Sequence, residues 1–419
     1  MLMRLRTHFL RGIIEVSLIG GFGGTAIAQL LYTPNYGTNN ISEYATGSGP
    51  LTSIACSSPN PISVSPESSP EGLAMTPNGS FLYVSDNGAH ASGISAYAVS
   101  GGPCVGKLTP LATGTNCPNA SGQTCPYYSL PVGAAGPWGI AVDPNGSYLY
   151  VALQGSSTIA AYSINGTSGG LNYIGSYSTS TPPSPLVVAK VGSNEYLYAG
   201  LQSSVDVYPV QSNGALGTPT DYPLNGGDGS PNGLATFGST LYVTDYNSSG
   251  PAGLYAFPIL GSGLLGTPVT ATTGAYPLGV AVDSSGSHVY VAGTGDSTVY
   301  SLLTSNLAAA PAVVTVNGGS STVYGVAVDP TNDYVYVSDN LNNDIWIYSP
   351  GLASSVGSTF VGANTSPTEF ILAHIPPPAP PAISSVPAAS FTSLALLAIL
   401  LAACAGILCR KSVGISSAQ

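Results

Sequence analysis

PWGIAVDPNGSYLYVALQGSSTIAAYSI at residues 137–164 is the stretch on which the fold turns, because residues 323–350 repeat it as VYGVAVDPTNDYVYVSDNLNNDIWIYSP. Both copies hold a small apolar run, a turn, a run carrying a tyrosine, a polar loop and a third run ending near an aromatic. Outward from them the same tyrosine returns as Tyr32, Tyr83, Tyr150, Tyr198, Tyr242, Tyr290 and Tyr336, at steps of 51, 67, 48, 44, 48 and 46 residues. A period in the mid-forties, with four short apolar runs separated by turn residues, is the signature of a propeller blade. The expected fold is all-β: a seven-bladed β-propeller of four-stranded antiparallel blades.

Each unit has a physical reading. The first run (Gly139–Asp143, Gly279–Asp283, Gly325–Asp329) is small and apolar on both faces, as suits a strand packed between neighbouring blades. DPNG at 143–146, TPNG at 76–79 and DPTN at 329–332 follow it. Proline presets φ, and Asn or Gly accepts the left-handed conformation that closes a hairpin. In the second run, alternation keeps the tyrosine ring on one constant face. That column is either a binding stripe or a wedge between blades, and its presence in every unit favours the wedge. Third runs recur from Ile41–Tyr44 to Ile345–Tyr348, and a Gly/Ser turn leads to a weaker fourth run such as Gly106–Leu111.

The two ends predict ring closure. QLLYTPNYGTNNISEYAT from Gln29 begins at a second strand, with no first strand before it. SPTEFILAH at Ser366–His374 matches the first-strand start SPNGLATF at Ser230–Phe237. One blade is therefore expected to draw on both ends of the chain, which removes the open edges of a linear array. The propeller then spans 29–375.

Composition agrees with a turn-rich β domain: 53 glycines, 35 prolines and only 6% charged residues. Between Gln29 and Ser390 stand 17 acidic residues, two lysines (Lys107, Lys190) and no arginine, a formal charge of −15. Nucleic acid is excluded as a partner, since it needs many Lys/Arg contacts to phosphate. Phosphorylated substrates are disfavoured, since no bidentate arginine clamp exists.

Residues 1–28 read as a signal peptide: Arg4, Arg6 and Arg11, an apolar stretch Ile13–Gly24 containing Glu15, and the small-x-small motif Ala26–Ala28. Residues 376–390 form a Pro-rich linker that opens with PPPAPP. The 19 apolar residues Phe391–Cys409 predict a transmembrane helix, and Arg410 and Lys411 assign the 410–419 tail to the cytoplasm. The expectation is an exported protein, in the periplasm or at the cell surface, anchored with its propeller outside the cytoplasm. Val386-Pro387, the apolar helix and the basic end resemble the PEP-CTERM type of sorting tail, with Ala388 where that signature carries Glu.

Six cysteines divide by region. Cys404 and Cys409 fall in the apolar helix, whereas Cys56, Cys104, Cys117 and Cys125 are expected to be exported and able to form disulfides. Cys117 and Cys125 bracket PNASGQT within the longest repeat, so a local bridge is expected there. Cys56 aligns with the end of a fourth strand and Cys104 with the start of one, which leaves their separation open. No histidine spacing accompanies them, so zinc is disfavoured.

Ligands of propellers meet the face formed by the starts of first strands and the loops after second strands. Glu71, Asn232 and Glu369 map at or beside those starts, and Asp86, His90, Asp245 and Asp339 map to the facing loops. Trp138 and Tyr324 stand at equivalent starts, completing a binding face with Asp86, Asp339 and Glu369. Carboxylates around a central opening could hold a divalent cation or supply a general base, with Glu71, Asp245 and His90 the catalytic candidates. Equally, Asp and Asn in SDN and TDYN cap turns. His288 aligns with a second-strand start and His374 with a far-side turn.

The repeat cores LYVSDN, LYVAL, LYVTDYN and VYVSDN resemble the YVTN-type propeller repeat. The longer phrase DPNGSYLYVALQGSSTIAAYSINGTSGGLNYIGSY is similar to the seven-bladed lactonase-like family that includes 6-phosphogluconolactonase. That likeness spans Gln29 to His374. It implies lactone hydrolysis by cationic and His/Glu side chains, and this chain offers no arginine for it. SPNGLATFGSTLYVTDYN from Ser230 and PEGLA from Pro70 are similar to metal-dependent gluconolactonase-type propellers. Their likeness implies Ca2+ held by Glu71 and Asn232, with Asp245 as third ligand. Two classes of function follow: an envelope module binding a protein, a glycan or a small neutral ligand, and a lactonase acting on a neutral lactone.

Overall fold

The computed structural model describes residues 28–375 apart from 48, 55, 57–60, 65–67, 89–91, 102–103, 112–126, 225–228 and 247–252. Residues 1–27 and 376–419, and with them nearly all of the expected signal peptide and the whole of the expected linker, transmembrane helix and tail, lie outside the described residues, as do His90, Cys117 and Cys125. Among the described residues no helix is long and apolar enough to cross a membrane.

Seven antiparallel sheets of four main strands make up the fold, six of them with the strands in sequence order and one closed by a strand from the far end of the domain. Blade 3 shows the repeat at its plainest. Pro137–Val142 lies innermost and pairs with Tyr148–Leu153, which pairs with Thr158–Ile164, which pairs with Leu171–Ser178. DPNG closes its first hairpin through the turn geometry that its residues favour: Gly146 takes φ 71° and donates its amide to the Asp143 carbonyl at 2.9 Å. Blade 2 has in addition Tyr127–Ser129, which rejoins its third strand after the insertion.

Ring closure is as expected. Ile371–Ile375 is the innermost strand of blade 1 and pairs with Ala28–Asn35, with Ile371 opposite Tyr32. It also touches the first strands of blades 7 and 2. His374, expected at a far-side turn, instead pairs with Gln29 inside this strand. The repeat alignment stopped one hairpin position short of the true strand end.

Seven apolar clusters hold the ring, one at each junction between neighbouring blades. Alternation explains this. Leu149 and Val151 face blade 2, whereas Tyr150 between them faces blade 4. The tyrosine column is a wedge. The hydroxyls of Tyr32, Tyr83, Tyr150 and Tyr198 each donate to a glycine carbonyl in the outer turn of the next blade, at 2.6–3.0 Å. Tyr290 instead accepts the Gly351 amide at 3.0 Å. The first strands are less buried than the second, because they line a central channel as well as packing between blades.

Cys56 and Cys104 form a disulfide between the outer regions of blades 1 and 2, with Cα atoms 5.3 Å apart and a sequence separation of 48. Repeat alignment could not reach this, since it takes the packing of two blades to set the distance. Cys56→Ser/Cys104→Ser is expected to lose about 2–4 kcal/mol, read as a lower denaturation midpoint matched by adding reductant to the wild type.

Candidate functional site

The channel mouth is built from two columns that vary while the rest of the repeat stays constant. One lies at the first-strand starts and includes Glu71, Trp138, Asn232, Leu278 and Tyr324. The other lies four residues after each repeat tyrosine: Tyr36, Asn87, Gln154, Gln202, Tyr246, Thr294 and Asn340. Because the tyrosine fixes the register of every second strand, both columns converge on one face.

Small residues fix the spacing of this face. The hydroxyls of Ser85, Thr244 and Ser338 donate to the carbonyls of Trp138, Leu278 and Thr368 in the adjacent blade. Ser85 and Ser338 also accept the amides of Gly72 and Gly325 in their own blades, at 2.9 and 2.7 Å. A Cβ on Gly325 would come within 2.4 Å of the Thr368 carbonyl oxygen, so glycine is required where the clamp draws two blades together. In the register of blade 1, Glu369 stands in that glycine's place and Pro34 replaces the clamping hydroxyl. The junction of blades 1 and 2 therefore has no such clamp, and a carboxylate occupies it.

The cavity over the first strands measures about 210 Å³ and is lined by Trp138, Asn232, Leu278, Tyr324 and Glu369 among others. Glu71 lies almost buried beside it, 6% exposed, and its carboxylate is held by the Asn87 side chain. Burial first, and then the charge of Glu369, pushes Glu71 up to about 8. Burial likewise pushes Glu369 up to about 7, although it keeps part of its surface in the channel. Enclosure by protein on all sides reconciles the two: water reaches this carboxyl only through the mouth. Burial, with Glu71 and Glu369 adding their charges, raises the Tyr324 phenol and keeps it protonated as a donor.

These shifts make stability depend on pH. A carboxyl that is easier to protonate folded than unfolded favours the folded chain while the proton stays on. That contribution is present below the ordinary carboxylate value and is lost as pH rises through about 7 to 8. Thermal denaturation is expected at a temperature several degrees lower at pH 8.5 than at pH 5, and Glu71→Gln should flatten the slope.

The remaining expected residues lie elsewhere. Asp86, Asp245 and Asp339, expected in loops, are the buried ends of second strands or lie next to them, because those strands run on to the third residue past the tyrosine. Asp245 accepts the Ser230 amide at 2.7 Å. Asp339 takes the Ser321 hydroxyl and the Asn342 side-chain amide, at 2.6 and 2.8 Å. Asp86 takes the Ser95 hydroxyl. Asp245 and Asp339 hold turns, and Asp86 ties the second strand to the third. Calcium needs oxygens converging on one point. Asp245 is fully buried, the Asn232 amide turns back to Ser230, and Glu71 lies three blades away. Among the described residues no three or more His, Cys, Asp or Glu side chains gather as a metal site. This donor set does not fit calcium. His288 pairs with Asp283 at 2.9 Å on the opposite face.

Residues 106–225 match the family described as "Lactonase, 7-bladed beta-propeller". No curated protein matches the chain. Similar solved structures include the periplasmic gluconolactonase of Pseudomonas aeruginosa, with TM-score 0.62 and 17% identity over 84% of this chain and 99% of that one. A candidate 6-phosphogluconolactonase from Bacteroides uniformis gives 0.63 and 15%, over 83% and 99%. Another from Bacteroides fragilis gives 0.62 and 14%, over 84% and 100%. At such identities the likeness establishes the fold. The fold expected from the repeats holds, a seven-bladed propeller of which residues 106–225 are similar to that family, and Glu71 and Glu369 lie outside the matched residues.

Proposed function

We propose that the channel mouth hydrolyses a small neutral lactone, with Glu369 as general base. The observation that carries this reading is the meeting at the cavity of Glu369 from blade 1, the Glu71 carboxyl from blade 2 and the partly buried Tyr324 phenol from blade 7. Glu369 takes a proton from water as the oxygen attacks the lactone carbonyl, and the Tyr324 hydroxyl donates to the developing oxyanion. The ring C–O bond then breaks and Glu369 returns the proton to the leaving oxygen, which gives the open hydroxy acid. Glu71 stays protonated below about pH 8 and so withholds a second negative charge from its neighbour. The cavity is small and the propeller has no arginine, so the substrate is expected to be compact and unphosphorylated. Ca2+ has no place in this chemistry.

The test is a hydrolysis screen of neutral and phosphorylated lactones on the full chain, with and without chelator. Chelator-insensitive turnover of the neutral compounds, lost in Glu369→Gln, is the expected result. Neutral lactones that bind but stay intact would move the protein to the binding-module class. Turnover abolished by chelator would overturn the carboxylate mechanism. An exported, membrane-anchored setting for this activity rests on the sequence of the two ends, and fractionation of cells into membrane and soluble portions checks it.

A further inference from the structure

A second cavity, of about 440 Å³, opens on the same face over blades 3, 4 and 5. Its side chains come from the two variable columns: Gln154 and Gln202 from the one that follows the tyrosines, Ser184 and Asn232 from the first-strand starts. Pro182 and Pro231 add flat apolar faces. Asn232 lines both cavities, so they meet at that residue. Among the described residues no charged side chain lines the second one. At its blade 5 edge, the Tyr246 amide donates to the Ser230 carbonyl at 2.8 Å, and the Tyr246 ring packs on Tyr276 with centroids 5.0 Å apart. Tyr276 holds φ 55°, a conformation that costs a bulky side chain energy and that Ser69, Gly136 and Ser366 hold elsewhere before the same proline. The Tyr276 ring is 39% exposed and stands outside the residues that line the groove.

Three amides that both donate and accept, hydroxyls, flat apolar faces and no charge suit one class of ligand, a neutral sugar. Hydroxyl groups satisfy the amides, and the C–H face of a pyranose suits the proline faces. A phosphate, a carboxylate or a peptide with charged side chains would find no counter-charge among the described residues there. We infer that this groove holds a neutral sugar unit attached to the compound in the channel, so that the substrate is the lactone end of a saccharide. The inference rests on the lactone reading and names the substrate class of that site.

Two measurements separate the failure of each. Isothermal titration with cellobiose, which carries no lactone, reads the groove alone. Saturable binding is expected, weakened about ten-fold or more when Gln154→Ala and Gln202→Ala are combined, about the worth of one or two net hydrogen bonds. Absence of binding overturns the groove whatever the lactone assay shows. The second measurement compares kcat/KM for glucono-δ-lactone with that for cellobiono-δ-lactone. A preference of about ten-fold for the disaccharide, erased in the double variant, supports the assignment. Equal rates on both would leave lactone hydrolysis standing and remove the sugar subsite. If neither lactone turns over while cellobiose binds, the groove stands and the hydrolysis reading falls.

Discussion

Glu369→Gln is expected to lower kcat/KM on a neutral lactone by about 10²–10⁴-fold, the range by which a positioned base accelerates proton transfer. The amide keeps the shape of the side chain and loses only the proton acceptor, so binding of an unreactive analogue should change little. The pH dependence identifies the neighbour. Activity should rise as Glu369 loses its proton near pH 7 and fall as Glu71 loses its own near pH 8, a bell centred between them. Glu71→Gln imitates the protonated neighbour permanently, so its profile should keep the acid limb and lose the alkaline one. A Glu71→Gln profile that still falls above pH 8 would mean that Glu71 has no part in the alkaline limb.

Tyr150→Ala is expected to destabilise the protein by about 3–5 kcal/mol, the usual loss when a buried aromatic is truncated. Its ring fills the cluster between blades 3 and 4 and its hydroxyl donates to the Gly214 carbonyl at 3.0 Å. Tyr150→Phe keeps the ring and should cost only about 0.5–1.5 kcal/mol, the net value of one hydrogen bond. Urea denaturation of the two variants separates packing from the polar contact. If the Phe variant fell as far as the Ala variant, the hydroxyl would be the main support of that junction. The expected loss is a large share of a total of about 5–15 kcal/mol.

The sequence could be read most fully where physics repeats. Seven tyrosines in one register announced the blades, and the unpaired second strand at Gln29 announced the closure, because both follow from local alternation and turn chemistry. The site was harder, since it depends on what differs between repeats. Glu71, Trp138, Asn232, Tyr324 and Glu369 were found at strand starts. Asn87, Gln154, Gln202 and Tyr246 carry no motif of their own, and only their place four residues after each repeat tyrosine marks them. Asp86, Asp245 and Asp339 were assigned one step too far along, because a strand ending in SD reads like a loop until its partner residue is known. The disulfide between Cys56 and Cys104 needed the packing of two outer edges, which no single repeat encodes.

The closure of blade 1 also governs the order in which the molecule can assemble. Ala28–Asn35 is made early, yet its inner partner arrives only with Ile371–Ile375, after every other sheet has been synthesised. Until then the nascent chain exposes one bare strand edge and one uncovered apolar flank, the features that draw unfinished β proteins into aggregates. Final docking joins segments at the two extremes of the domain, and such long-range pairing makes folding slow. Glu369 sits two residues before that late strand, so the proposed base completes its surroundings only when the ring does, and an unfinished chain lacks the proposed site.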